Sequence, residues 1–181
     1  DAVTTLRERI AAVFRREEGG AAVGLVLMLP MFLYVFMASF EIGLYMIRLT
    51  LLDRAVDITA REIRLGSLAD PTAENIKAMI CQNASVLPNC ADTLRLSLER
   101  VETTTWTMPA TETVCVNRGE DKGEVVDALD DNPTERKVLM IMRGCIRADA
   151  LFPSIGVAAA LPLDGKGGYR LAAVSAFLNE P

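Results

Sequence analysis

Three groups of residues in this 181-residue chain have the types and spacing to do chemistry. The first is a junction, Arg15-Arg16-Glu17-Glu18-Gly19-Gly20-Ala21-Ala22-Val23, where charge gives way to glycine at the start of a long apolar run. Small residues leave the backbone sterically open and carry little helix propensity, so a peptidase could reach the chain here. The second is Glu41, the first acid after that run. A carboxylate deep in an apolar layer is costly and is a functional candidate by default. Between Phe40 and Tyr45 it can instead sit at the headgroup level and be solvated; if deeper, it would pair with a partner helix or a partner subunit's amino terminus. The third is the set Cys81, Cys90, Cys115 and Cys145. An even number suits two disulfides outside the cytosol or four thiols inside it. No CxxC is present, which argues against a zinc or thioredoxin-like centre. The nearest-neighbour pairs, Cys81–Cys90 and Cys115–Cys145, are the expected bridges, with buried free thiols as the alternative.

Several chemistries lose their usual parts. The chain has no histidine, so the commonest general base and metal ligand are missing. A net charge of −5 makes a nucleic-acid partner unexpected. Residues 117–136 are acidic and read as a long exposed loop; they lack the Asp/Asn/Gly spacing of a calcium loop. Gly165-Lys166-Gly167-Gly168 reads as a turn, without the spacing or the Ser/Thr of a phosphate loop. We therefore expect no cofactor, no metal and no catalytic residue.

What positions these groups is the stretch Gly19–Phe40, 22 residues without a charged side chain. A helix rising about 1.5 Å per residue needs roughly 20 residues to cross the apolar part of a bilayer. A core helix of a soluble protein normally keeps a polar stripe, and the apolar part of a cleaved secretory signal is usually only about 7 to 15 residues. Pro30 lacks a backbone N–H and should kink or loosen this helix. Upstream, Arg7, Arg9, Arg15 and Arg16 place residues 1–18 in the cytoplasm, as an amphipathic surface segment or a disordered tail, although Arg48, Arg54, Arg61 and Arg64 follow on the other side. The chain opens on Asp1 rather than Met, so further residues upstream are expected.

Past the span, Leu44, Ile47, Leu51, Ala55 and Ile58 recur at helical spacing, flanked by Leu52, Val56 and Ile63, and Gly66 fits the position just beyond a helix end. One continuous helix follows: 19–47 in lipid and 48–66 as an amphipathic continuation. Residues 67–181 would form a periplasmic head. Asp70-Pro71 should cap a short helix reaching about Asn83 and burying Ile76, Met79 and Ile80. Leu94, Leu96 and Leu98 alternate as a half-exposed strand running toward Trp106, and Val114–Val116 is a second candidate. Val138–Met142 and Leu171–Phe177 are apolar on both faces, as central strands are. The expected class is α+β, a long helix packed on an antiparallel sheet of three to five strands.

The segment from about Arg15 to Gly66, with its charge–glycine junction, Ala/Val run, Leu29-Pro30 and Phe40-Glu41-Ile42-Gly43, resembles the TadE-like family of minor pilin-like proteins in Tad (Flp) type IV pilus assembly. The resemblance implies a pilin-like fold and cleavage by a prepilin peptidase between Gly19 and Gly20. It also implies partners among the lipid bilayer, other pilin-like subunits and the pilus machinery, with helix packing involving Gly24, Pro30 and Glu41. The implied location is the bacterial inner membrane or an extracellular pilus. One departure stands out: Gly24 occupies the fifth position after the cut, where the family usually carries the glutamate that meets a neighbour's amino terminus. The alternative is a singly anchored periplasmic binding or accessory domain outside any filament.

Overall fold

The computed structural model describes residues 17–68, 70–109, 115–116, 118, 128–130, 135 and 137–179. The tail before residue 17 and Val114 lie outside them. Helix α1 runs unbroken from Glu17 to Arg64, through Pro30. It is followed by α2 (Ala73–Asn83), the single turn α3 (Cys90–Thr93), β1 (Arg95–Arg100), β2 (Ala128–Leu129), β3 (Leu139–Asp149), the turn α4 (Val157–Ala160) and β4 (Gly168–Leu178). The sheet order is β2-β1-β3-β4, with β1, β3 and β4 antiparallel. The architecture is α+β, a long N-terminal helix against a small sheet.

At 48 residues, α1 is about 72 Å long and extends well beyond the head it serves. Its C-terminal half buries Leu52, Ala55, Val56, Thr59, Ala60 and Ile63, a run at spacings of three and one that defines one helix face. This face is rotated from the one expected. Ile47 is exposed and Leu44, Leu51 and Ile58 are only half-buried, so the row read as secondary, Leu52, Val56 and Ile63, is the true seam. The helix closes in a Schellman motif: Gly66, at φ +67°, donates to the Ile63 carbonyl at 3.0 Å, and Ser67 N–H to the Glu62 carbonyl at 3.1 Å.

The seam lies on the sheet face formed by alternate residues Met140, Met142, Gly144, Ile146 and Ala148 of β3, with Leu96 and Leu98 of β1 and Tyr169, Leu171, Ala173 and Phe177 of β4. Gly144 is the point of closest approach, since a Cβ there would stand 3.2 Å from Val56 Cγ2. A Gly144→Val change should therefore prise helix from sheet and destabilise the head by about 1–3 kcal/mol, read in a denaturant titration. Ile76 and Ile80 of α2 cover the remaining side of the core, while Met79 is half-buried.

Several expectations are corrected by this arrangement. The cap of α2 is Thr72, whose hydroxyl accepts from Asn75 N–H at 3.4 Å; Asp70 instead offers its carbonyl to the Asn75 side chain. Strand β1 stops at Arg100, because the chain turns back on itself through a bridge between Glu102 and Thr107. Its second face is also covered, with Ser97 buried, so it is not half-exposed. Cys115 and Val116 are not strand. The 117–136 stretch is not simply loop: Ala128–Leu129 pairs with β1 in parallel, Asp130 N–H donates to the Leu98 carbonyl at 2.8 Å, and Arg100 holds Asp130 and Glu135. Finally, β4 is an edge strand with Val174 and Leu178 exposed on its outer side. Its alanines are small enough to suit either face, so its composition did not distinguish edge from centre.

Both bridges are formed, Cys81–Cys90 between α2 and α3 and Cys115–Cys145 against the outer face of β3.

Candidate functional site

The N-terminal half of α1 is bare. Leu25, Val26, Leu27, Met28, Met31, Phe32, Tyr34, Val35 and Phe36 are all more than half exposed. From Ala22 onward the helix is long and apolar enough to cross a membrane, and none of its most apolar window is buried against the rest of the chain. Gly20 and Gly24 have nothing within 4 Å of where a Cβ would stand, so both lie open on the helix surface. The Gly19–Gly20 junction falls within the helical residues Glu17–Arg64, so its backbone is helical rather than open.

Where α1 meets the head, three polar side chains succeed each other on one face at Glu41, Tyr45 and Arg48, continuing the line of Leu52 and Ala55. Glu41 is 1% exposed. It is neither solvated at a headgroup level nor aimed at another chain. Its carboxylate accepts from the backbone N–H of Leu151 and of Phe152, each at 3.0 Å through Oε2, with a second approach from Leu151 at 3.3 Å through Oε1. One turn on, Tyr45 meets Tyr169 edge to face at 5.3 Å. Arg48 then donates through Nη1 to the Asp149 carbonyl and to the Tyr169 hydroxyl, both at 2.7 Å. Burial pushes the Tyr169 phenol above its ordinary range, and the Arg48 guanidinium beside it only partly opposes this.

These contacts form a clasp that ties the end of β3 and the loop after it to the helix. The loop presses close: a Cβ on Gly156 would lie 2.9 Å from Ala38 Cβ and 3.1 Å from its backbone Cα. Gly156 also has φ +61°, so glycine is required there twice over. Sequence reading isolated Glu41 but missed Tyr45 and Arg48. The available signal was their spacing, since polar residues on the apolar stripe of an amphipathic helix must find partners in the body it packs on.

A second polar cluster closes the same connecting end of the β3–β4 hairpin. Arg118 pairs with Asp149 at 2.6 Å and, in a forked arrangement, with the buried side chain of Asp164 at 2.8 and 3.3 Å. Asp164 also accepts from Lys166 N–H at 3.1 Å and Gly168 N–H at 2.7 Å. The amides of Lys166 and Gly168 are thus spent on an internal carboxylate and that of Gly167 on the Asp164 carbonyl at 2.9 Å, so they are not presented to a phosphate. Burial would push the Asp164 carboxyl up, but Arg118 and the two amides hold it well below the usual carboxylate range. A carboxyl depressed in the folded state lends stability above its unfolded pKa of about 3.9 and surrenders it as pH falls below that value. Acid titration should therefore loosen the hairpin end below about pH 4, and Asp164→Asn should flatten that part of the stability curve.

Among the described residues no three or more His, Cys, Asp or Glu side chains gather as a metal site would require. The assembled residues hold the head on a helix whose other half is bare. Compared with known proteins, the chain matches no family model, no curated sequence and no solved structure.

Proposed function

We propose that this protein is a membrane-anchored, pilin-like subunit that takes part in assembling a Tad-type pilus. In this reading the bare half of α1 lies in the inner membrane and packs with the helices of other subunits, and the head is periplasmic. The observation that carries it is the division of one continuous 48-residue helix into an exposed apolar half and a half clasped to an α+β head. Two disulfides suit an oxidising compartment beyond the membrane. The charge–glycine junction at Gly19–Gly20 and its likeness to the TadE-like pattern support processing there.

A second reading, an accessory held in the membrane and never incorporated, is favoured by two observations. Gly24 offers no carboxylate to a neighbour's amino terminus, and Glu41, the next acid along the helix, is already engaged within its own chain. The discriminating experiment is the N-terminal sequence and intact mass of the protein from its native membrane, with and without a prepilin peptidase. A start at Gly20 that disappears without the peptidase supports the processed subunit. A chain still carrying Arg7 to Glu18 in both samples sinks processing and leaves the bitopic accessory.

A further inference from the structure

We propose that the loop Leu151–Ile155 is a second membrane contact, dipping into the outer edge of the bilayer beside α1 and seating a lipid acyl chain. The proposal rests on the membrane-anchored reading above and adds to it a part of the head that no hydropathy pattern marks.

The geometry places the loop at the right depth. If the charged residues Glu17 and Glu18 mark the inner boundary, an apolar layer about 30 Å thick is used up after roughly 20 residues at 1.5 Å each, near Ala38 to Phe40. The head does not stop short of that level. Gly156 packs on Ala38, and Leu151 and Phe152, whose amides sit at the level of Glu41, stand beside the same stretch of helix. With Leu33, Phe36, Met37 and Phe40 they line an open groove of about 260 Å³ without a polar atom in its surface. Leu33 lies seven residues before Phe40, so the groove extends about 10 Å inward from that edge, the depth at which interfacial segments bury their apolar faces.

The backbone chemistry fits the same surroundings. A non-helical turn in an apolar layer leaves N–H groups that water cannot reach, and each must find an internal partner. Here the first two donors of the loop, Leu151 and Phe152, are both taken by Glu41. The carboxylate in turn is shielded by the loop it holds. An exposed loop in water would need neither arrangement. Leu151 nevertheless remains about half exposed, and Pro153, which has no N–H, follows at the tip. The groove is continuous with the bare surface of α1, so whatever solvates that helix also fills the groove; we assign lipid rather than a second copy on this continuity.

The test exploits the single tryptophan of the chain, Trp106. In a Trp106→Phe background, one tryptophan is placed at Leu151, at Met28 on the bare helix ten residues past Glu18 and so near mid-layer, or at Val174 on the outer face of β4, and the full chain is reconstituted in phosphatidylcholine vesicles carrying bromines at shallow or deep acyl positions. The expected result is that Met28→Trp loses most of its emission to deep bromines, Leu151→Trp loses most of its emission to shallow ones, and Val174→Trp is unaffected. Ser154→Trp, at an exposed position of the same loop, repeats the reading should Leu151→Trp disturb the fold. Quenching at Met28 with none at either loop position overturns the loop contact while leaving the anchor intact. No quenching at Met28 overturns the anchor itself. A loop tryptophan that is unquenched by bromolipid and shifts blue only as protein-to-lipid ratio rises would give the groove to a second copy, and the proposal would fall.

Discussion

Replacing Glu41 by alanine should release the Leu151–Gly156 loop from the helix and destabilise the junction more than any other single change at a polar residue. The substitution removes the carboxylate from two part-buried amide donors. Leaving a buried donor unsatisfied costs about 1–3 kcal/mol, and hydrogen bonds to charged groups sit at the upper end. Two donors are involved, so the effect should exceed that of an ordinary core polar change. Glu41→Gln should fall between alanine and wild type, because an amide oxygen can still accept while its NH₂ faces donors. The core should survive, since on α1 its buried cluster begins at Leu52, about three turns past Glu41. The measurement is chymotryptic cleavage at Leu151 in detergent, alongside a denaturant melt of the head. A Glu41→Ala protein whose loop is cut no faster than wild type, and whose melt is unchanged, would mean that the carboxylate does not hold the loop.

That glutamate also shows where sequence reading runs out. The helix itself was legible, because 22 consecutive uncharged residues and an amphipathic continuation leave little else for the chain to do, and the Gly66 terminus follows from backbone conformation. Glu41 was legible as an anomaly but its partners were not. They are backbone N–H groups 110 and 111 positions away, and an amide carries no side-chain signature. Strand β3 was read only as far as Met142, because Arg143 and Arg147 interrupt the apolar run; both lie on the sheet's second face, where Arg143 pairs with Glu99 at 3.2 Å and Arg147 approaches the Gly168 carbonyl at 3.5 Å. Local periodicity reports which face a residue occupies only when the other face is wet. Here a segment fastened by Cys115 covers part of it, so polar side chains there become structural.

The clasp and the bare helix belong to one mechanical design. A head carried on a long helix could swing about the helix. Glu41, Tyr45 and Arg48 oppose this by tying the end of the β3–β4 hairpin to three successive levels of α1. In the proposed pilin-like role, a force on the head would then be transmitted to the apolar half of the helix without a hinge. Severing the clasp should uncouple head position from helix position while leaving each folded.

Removing the Cys115–Cys145 bridge should have the other large effect. It fastens the segment carrying Cys115, Val116 and Arg118 onto the middle of β3, 30 positions away in sequence, whereas Cys81–Cys90 closes a separation of only 9. On the chain-entropy account, a loop of that longer length contributes about 3–4 kcal/mol and the shorter one somewhat less. Cys115 and Cys145 are both buried, so the double alanine variant also forfeits some packing; comparison with reduced wild type separates the two contributions. The longer bridge has a further role, because it delivers Arg118 to Asp164 and Asp149 at the end of the hairpin. The Cys115→Ala/Cys145→Ala protein should therefore lose about 3–4 kcal/mol in a denaturant titration and also lose most of the stability change below pH 4 that Asp164 confers. Cys81→Ala/Cys90→Ala should lose less and keep its acid response. If the two double variants were equally destabilised and equally sensitive to acid, the bridge would be a simple tether and Arg118 would find Asp164 without it.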